Sequence, residues 1–133
     1  MNRVRGHIAD IKVNGSLSLV AVDIDAKVVL KSIVIETPET VSYLTIGNKV
    51  EVLFKETEVV IGTQADHAIS LQNRIHGTIT KIERGELISR VVLDTHVGEL
   101  VSIISTDAVD SLGLKERSMV IAMIKLNEIM LAE

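Results

Sequence analysis

The residues best suited to chemistry are hydroxyl clusters that occur once in each half of the chain. The first is Thr37-Pro38-Glu39-Thr40, and its counterpart is Ser105-Thr106-Asp107-Ala108. A hydroxyl residue in this context is a typical helix N-cap, and a helix start offers unpaired N–H groups and a partial positive charge. These clusters could therefore bind a tetrahedral anion, or they could simply cap a helix.

Two lysines could supply the positive charge that an anion requires. Lys55 ends the apolar segment EVLFK and Lys125 ends IAMIK, at the same place in each half. Either lysine could instead be a strand-end residue whose ammonium group reaches water. Because the pattern occurs in both halves, we keep the anion-binding interpretation beside the structural one.

Two similar units are needed to position these clusters, since the sequence repeats with a period of about 70 residues. Asn2-Arg3-Val4-Arg5-Gly6 matches Asn73-Arg74-Ile75-His76-Gly77, and the segments that end in the two lysines also align. Several matches in the same order indicate a duplication. We predict a first unit at 1–62, a linker at 63–68 and a second unit at 69–133.

Each half shows about five short apolar segments separated by polar turns, together with one helical segment. The second-half strands are predicted near residues 73–83, 87–95, 98–105, 118–125 and 128–132. Helices are predicted at 38–44 and 107–114, each between the third and fourth strands of its unit. This order is typical of an oligonucleotide/oligosaccharide-binding (OB) fold. The predicted fold is all-β, with two tandem five-stranded OB-like barrels that each carry one short helix between strands 3 and 4.

Composition argues against several classes of function. The 133 residues include no cysteine, and they show neither a paired-carboxylate motif nor a glycine-rich phosphate loop. The histidines are scattered, whereas zinc needs several convergent ligands; they are His7, His67, His76 and His96. We therefore predict that the protein is not an enzyme and carries no metal site and no cofactor. A nucleic-acid-binding barrel would need aromatic platforms and a basic groove, but the chain is 2% aromatic with a net charge of -4.

The sequence also carries expectations about location and assembly. No apolar run approaches the roughly 18 residues that span a bilayer, and MNRVRG leads into no signal-like stretch, so we predict a cytoplasmic protein without membrane contact. Units of this size with few aromatics bury more apolar surface by packing against copies of themselves. We expect a closed homo-oligomer, a trimer of tandem chains in preference to a dimer.

Several of these segments resemble the molbindins, whose relatives include the molybdate-binding domains of transporter ATPases and regulators. The opening motif Ser-x-Arg-Asn followed by Gly appears as Ser70-Leu71-Gln72-Asn73 and Gly77, and the middle segment ISTDAVDSLGLKE occupies 104–116. The closing strand that ends in lysine occupies 122–125. The likeness covers the second half almost completely and the first half more loosely. The chain is thus similar to a tandem molbindin, built from two Mop (TOBE) domains.

This resemblance implies symmetric oligomers that bind molybdate or tungstate between barrel units, for intracellular molybdenum storage or homeostasis. It assigns oxyanion binding to Thr37, Thr40, Lys55, Ser70, Gln72, Asn73, Ser105 and Lys125. Each half is incomplete: the motif arginine is Gln72, the second hydroxyl of the second half is Ala108, and the first half lacks the Ser and Arg before Asn2.

Two hypotheses follow from this incompleteness. A full site could combine the opening segment of the second unit with Thr37, Thr40 and Lys55, from the same chain or a neighbour. Alternatively, the protein could be a structural or regulatory oligomerisation module that keeps the barrel without binding an anion.

Overall fold

The computed structural model describes residues 1–24, 27–64 and 66–133, and it consists of two five-stranded antiparallel sheets. Asp25 and Ala26 of the predicted first unit and Ala65 of the predicted linker lie outside the described residues. The first-half strands are β1 (Asn2–Asn14), β2 (Leu17–Ile24), β3 (Val28–Val34), β4 (Lys49–Phe54) and β5 (Val60–Gly62). The second-half elements are β6 (Asn73–Arg84), β7 (Ile88–Thr95), β8 (Gly98–Ser105), helix α1 (Thr106–Ser111), β9 (Met119–Ile124) and β10 (Met130–Ala132). The predicted all-β class is confirmed.

Alternation of buried and more exposed residues along a strand places the buried set on one face. In β2, Ser18, Val20, Val22 and Ile24 are buried while the residues between them are partly exposed. β9 is instead apolar throughout and is buried at five consecutive positions. β1 and β6 are the longest strands, and each contains an irregularity at the same place, between Ile8 and Asp10 or between Ile79 and Lys81. Such bulges increase local twist, so they help a long strand to curl around a barrel.

The last strand of each half joins the sheet of the other half. The strand orders are β10-β4-β1-β2-β3 and β5-β9-β6-β7-β8. Met130 pairs with Leu53 in the first sheet, and Val60 pairs with Met123 in the second. β10 also contacts β3, and β5 contacts β8, so each sheet curls until its two edges meet. The division at 62 and 69 stays a prediction about sequence units, whereas each barrel is built from both halves.

A single apolar core runs through both barrels. Its buried residues come from every strand except β10, whose Leu131 is only partly buried against the core, and the largest of them are aliphatic apart from Phe54. Two 3-10 turns, Glu56–Glu58 and Leu126–Glu128, lead into the exchanged strands and pack against β8 and β3 respectively. The two halves therefore share one core and are not independently packed domains.

The helix predicted at 38–44 is wrong, because the first half forms turns there. Thr40 Oγ1 accepts a hydrogen bond from Thr37 N–H (2.9 Å) and donates one to Thr37 O (3.0 Å), which closes the turn on itself. Side-chain bonds of this kind compete with helix formation. The second half has Ala108 at the position of Thr40, and there the helix α1 does form.

Helix α1 is shorter than the predicted 107–114. Ser105 Oγ accepts a hydrogen bond from Ala108 N–H (3.0 Å) at its start. Gly113 ends it with a φ of 62°, a left-handed conformation that glycine adopts without steric cost, and Leu114 N–H donates to Val109 O (3.0 Å). Among the described residues, no helix has the length and apolarity required to cross a membrane.

Candidate functional site

Two buried asparagines join the barrels, and they begin the first strand of each half. Asn73 Nδ2 donates to Lys31 O (2.8 Å), and Lys31 N–H donates to Asn73 Oδ1 (2.7 Å). Asn2 makes the same pair with the backbone of Val101, both bonds at 2.8 Å. Each side-chain amide thus makes the pair of backbone hydrogen bonds that a neighbouring strand would make with the edge strand of the other barrel. We call these two places the Asn73 junction and the Asn2 junction.

Two buried serines extend the same pseudo-symmetric contact. Ser32 Oγ donates to Ile129 O, and Ser102 Oγ donates to Val59 O, both at 2.7 Å. Both serines lie next to the residue that the asparagine holds. The junctions are consequently rigid, because side-chain and backbone polar groups satisfy one another there.

A cavity of about 370 Å³ opens at the Asn73 junction. Its lining residues are Val29, Lys31, Ile69, Leu71, Gln72, Asn73 and Arg74. Lys31 and Arg74 are cationic, and this lining contains no carboxylate. A cavity of this composition favours an anion over a cation.

Arg74 shapes the wall of the cavity. Its guanidinium donates to the backbone oxygens of His67 (2.7 Å), Ile69 (3.2 Å) and Leu71 (2.8 Å). These bonds hold the segment that leads into β6, and the guanidinium keeps its charge beside the cavity. Ser70 lies in this segment and is exposed.

The predicted lysines occupy matching positions. Lys55 and Lys125 share backbone angles of φ -70° and ψ 146°, are exposed, and directly precede the two 3-10 turns. Ile124 pairs with Asn73 across β6 and β9, so the next residue, Lys125, lies beside Gln72 at the Asn73 junction. Phe54 pairs with Asn2, so Lys55 lies at the Asn2 junction in the same way.

The predicted hydroxyl clusters lie elsewhere. Thr37 faces a separate cavity of about 390 Å³ with Val13 and Gly15, at the far end of β1 from the Asn2 junction. β1 has 13 residues, each advancing about 3.3 Å, so Thr37 and Thr40 are well separated from Lys55 within one chain. Ser105 caps α1, and its Oγ accepts a hydrogen bond from Ala108 N–H.

Comparison with known proteins agrees with this architecture. The TOBE domain family matches residues 69–131. Molybdenum-pterin-binding protein 1 of Clostridium pasteurianum is 35% identical over 65 residues, which are 48% of this chain and 96% of that protein. The chain belongs to the molbindin family. The molybdenum transport protein ModE of Herbaspirillum seropedicae is 33% identical over 91 residues, which are 67% of this molbindin and only 34% of ModE.

A solved structure extends the likeness to the whole molbindin chain. The crystal structure of the cytoplasmic molybdate-binding protein ModG with molybdate bound superposes with a TM-score of 0.91 at 26% identity. The superposition covers 98% of this molbindin and 94% of ModG. The tandem arrangement is therefore shared, and the resemblance inferred from the motifs is confirmed.

The molbindin brings together part of the predicted site. Gln72, Asn73 and Lys125 gather at the Asn73 junction, with Ser70 in the adjoining segment. The predicted combination of Ser70 with Thr37, Thr40 and Lys55 would need a second chain to supply the hydroxyls, and it stays a prediction.

The two cationic residues of the cavity were not predicted as site residues from the sequence. Arg74 directly follows the motif asparagine, so its position two residues after Gln72 was a visible signal for a replacement charge. Lys31 interrupts the apolar strand VVLKSIV, but its place beside Asn73 depends on a contact between residues 42 apart.

The strongest ion pair lies away from the cavity. Arg84 and Asp110 form a two-point contact at 2.7 and 3.1 Å that ties the end of β6 to α1, and its hydrogen bonds lower the pKa of the Asp110 carboxyl. In the first half, burial and a hydrogen bond to Glu36 raise the pKa of Tyr43 to about 12. In the described part of the chain, no three His, Asp or Glu side chains converge as metal ligands would.

Proposed function

We propose that this molbindin binds molybdate, and the similar oxyanion tungstate, at junctions between barrel units, and that it stores or buffers molybdenum in the cytoplasm. In this proposal it acts by binding alone, without catalysis and without a resident cofactor. The observation that carries the proposal is the whole-chain similarity to ModG, a cytoplasmic protein whose structure contains molybdate.

The chemistry of the Asn73 junction supports the same proposal. A tetrahedral dianion needs positive charge and N–H or O–H donors, and it is repelled by carboxylates. Lys31, Arg74 and Gln72 line the cavity there, and Lys125 lies beside it. A site built this way attracts the anion locally although the chain as a whole has a net charge of -4.

We further propose that the chain works as a closed homo-oligomer, a trimer of tandem chains. Val29, Ile33 and Ile35 expose 48%, 41% and 80% of their surface along β3 and its end. A row of exposed aliphatic side chains is typical of a surface that another protein covers. Thr37 and Thr40 lie too far from the junctions of their own chain to contact them. Packing between chains would let these hydroxyls contact a junction of a neighbouring chain.

One observation favours a second candidate function, an oligomerisation module that does not bind an anion. The Oδ1 and Nδ2 atoms of Asn73 are both hydrogen-bonded to the backbone of Lys31, and Ser105 Oγ accepts a hydrogen bond at the start of α1. These two motif residues are therefore accounted for by structure alone.

Calorimetric titration of the anion-free protein distinguishes the two functions. In a buffer without phosphate or sulfate, we expect molybdate and tungstate to bind with a fixed number per chain, and sulfate to bind far more weakly. Heat from none of the three anions, together with an unchanged melting temperature, would favour the non-binding module instead.

The combined site predicts a loss of binding when Thr37 and Lys55 are both replaced by alanine. Lys55 is exposed, and Thr37, although buried, bonds Thr40 through its backbone N–H and O, which alanine keeps. The fold should therefore survive while molybdate affinity falls at least tenfold. Lys115→Ala is the matched control, since Lys115 is exposed and lies at neither junction. Unchanged affinity in the double variant would remove these two residues from the site.

A further inference from the structure

The two junctions share a backbone plan but differ in charge. The repeat places Val29 at the position of Glu99, and Lys31 at the position of Val101, because both pairs have the same register on their neighbouring strands. At each junction an asparagine holds the second residue of the pair by two backbone hydrogen bonds. The difference therefore lies in the side chains alone.

Among the described residues, the two charged side chains that line the cavity at the Asn73 junction are both cationic. Lys31 and Arg74 line the cavity, and Lys125 lies beside it. Among the described residues, no carboxylate lies within ion-pair distance of the Lys31 ammonium or the Arg74 guanidinium. A dianion there would meet positive charge that is not already neutralised.

At the Asn2 junction two of the corresponding charges are paired with carboxylates, and Lys55, the counterpart of Lys125, is the remaining cation. Arg3, the counterpart of Arg74, lies 3.4 Å from Glu51, where the second half has Ile121. The N-terminal ammonium of Met1 lies 4.0 Å from Glu56, where the second half has Leu126. Glu99 adds a further carboxylate at the position of Val29. Glu51 and Glu56 neutralise Arg3 and the N-terminal ammonium, and Glu99 adds negative charge, so this junction attracts a dianion less than the Asn73 junction does.

We infer that the two junctions are functionally unequal: Lys31 is the residue that binds the oxyanion at the Asn73 junction, and the Asn2 junction, where Val101 replaces it, has no strong oxyanion site of its own. This inference rests on the proposed function, and it names the charge that replaces the motif arginine lost at Gln72. The consequence is fewer strong sites per chain than the two-fold repeat suggests.

Lys31 suits this role better than Arg74 does. The Nε–H and Nη2 donors of Arg74 point to the backbone oxygens of the segment before β6, so Arg74 positions the wall. Lys31 is held at its backbone by Asn73, which fixes where its side chain leaves β3. Its ammonium group is thus free to move within a rigidly placed cavity wall, and it carries three donors.

The same geometry makes Lys31 easy to test. Asn73 contacts only the backbone of Lys31, so a substitution keeps both junction hydrogen bonds and removes the charge alone. We would titrate the full chain with molybdate in four forms: wild type, Lys31→Met, Lys31→Arg and the control Lys115→Met. A fifth form, Glu99→Val with Val101→Lys, gives the Asn2 junction the residues that occupy positions 29 and 31 at the Asn73 junction, while Glu51 and Glu56 stay.

The inference expects roughly a tenfold or greater loss of molybdate affinity in Lys31→Met, with Lys31→Arg and Lys115→Met close to wild type. In Glu99→Val/Val101→Lys the number of molybdate ions per chain should rise. Wild-type binding that Lys31→Met leaves intact would overturn the inference while the proposed function stands. Wild type that binds no molybdate would overturn both. Circular dichroism melts of each variant show whether a loss comes from unfolding.

Discussion

Replacing Asn73 by alanine is expected to lower the free energy of unfolding by roughly 2–4 kcal/mol, because it leaves the N–H and C=O of Lys31 without protein partners. Asn73 is 1% exposed, and both of its amide bonds cross between barrels. Water from the adjoining cavity can replace part of this bonding but does not restore both bonds in the geometry of the amide. Urea unfolding followed by circular dichroism measures the change.

Asn127→Ala is the matched control for this substitution, since Asn127 is exposed in the second 3-10 turn. Its midpoint of unfolding should stay close to that of the wild type. Asn2→Ala should behave like Asn73→Ala, because Asn2 makes the same two bonds to Val101. A stability of Asn73→Ala equal to that of Asn127→Ala would show that the junction bonds contribute little.

The strands could be predicted from the sequence because their signal is local. Alternating burial in β2 and the matched segments that end in Lys55 and Lys125 depend on neighbouring residues only. The helix at 38–44 was predicted from its cap and Pro38, yet Thr40 forms a side-chain ring with Thr37 that propensity arguments do not include. Local patterns fail where one hydroxyl can satisfy the backbone in two ways.

The exchange of β5 and β10 could not be predicted, because the halves are alike. Val60-Ile61-Gly62 and Met130-Leu131-Ala132 are both short apolar strands, and either could pair with β4 or with β9. The 3-10 turns that precede these strands pack on the opposite barrel, and this contact directs β5 to β9 and β10 to β4. Lys31 was missed for the same reason, since its role depends on the contact of β3 with the start of β6.

The candidate site was predicted in part, and the missing part is also non-local. The motif gave Gln72, Asn73 and Lys125, which the structure does gather at one junction. The hydroxyls of Thr37 and Thr40 were assigned through the same motif but lie at the far end of β1. A sequence motif identifies the residues of a site between subunits, but it does not show which subunit provides each residue.

The exchanged strands predict that the two halves cannot fold as separate monomers. Fragment 1–64 would lack β10 on the edge of β4 and the Val101 backbone that holds Asn2, and fragment 66–133 would lack β5 and Lys31 in the same way. Each fragment has about 65 residues, a size at which a barrel is marginal even when complete. We expect each fragment alone to show no cooperative melt as a monomer, and an equimolar mixture to recover the β-sheet signal and a sharp transition.

Circular dichroism melts and sedimentation of each fragment and of the mixture measure this effect. The matched control is a second fragment shortened to 66–129, which keeps the core of the second barrel but cannot supply β10; its mixture with 1–64 should remain unfolded in the first barrel. Because the halves are similar, a fragment could also pair with a copy of itself, and then its melting temperature would rise with concentration. A fragment that melts cooperatively as a monomer, at a temperature independent of concentration, would show that β5 and β10 are dispensable. Recovery only on mixing would mean instead that each barrel of this molbindin exists because the other completes it, and that any anion site at their junction is formed by the same contacts that hold the fold together.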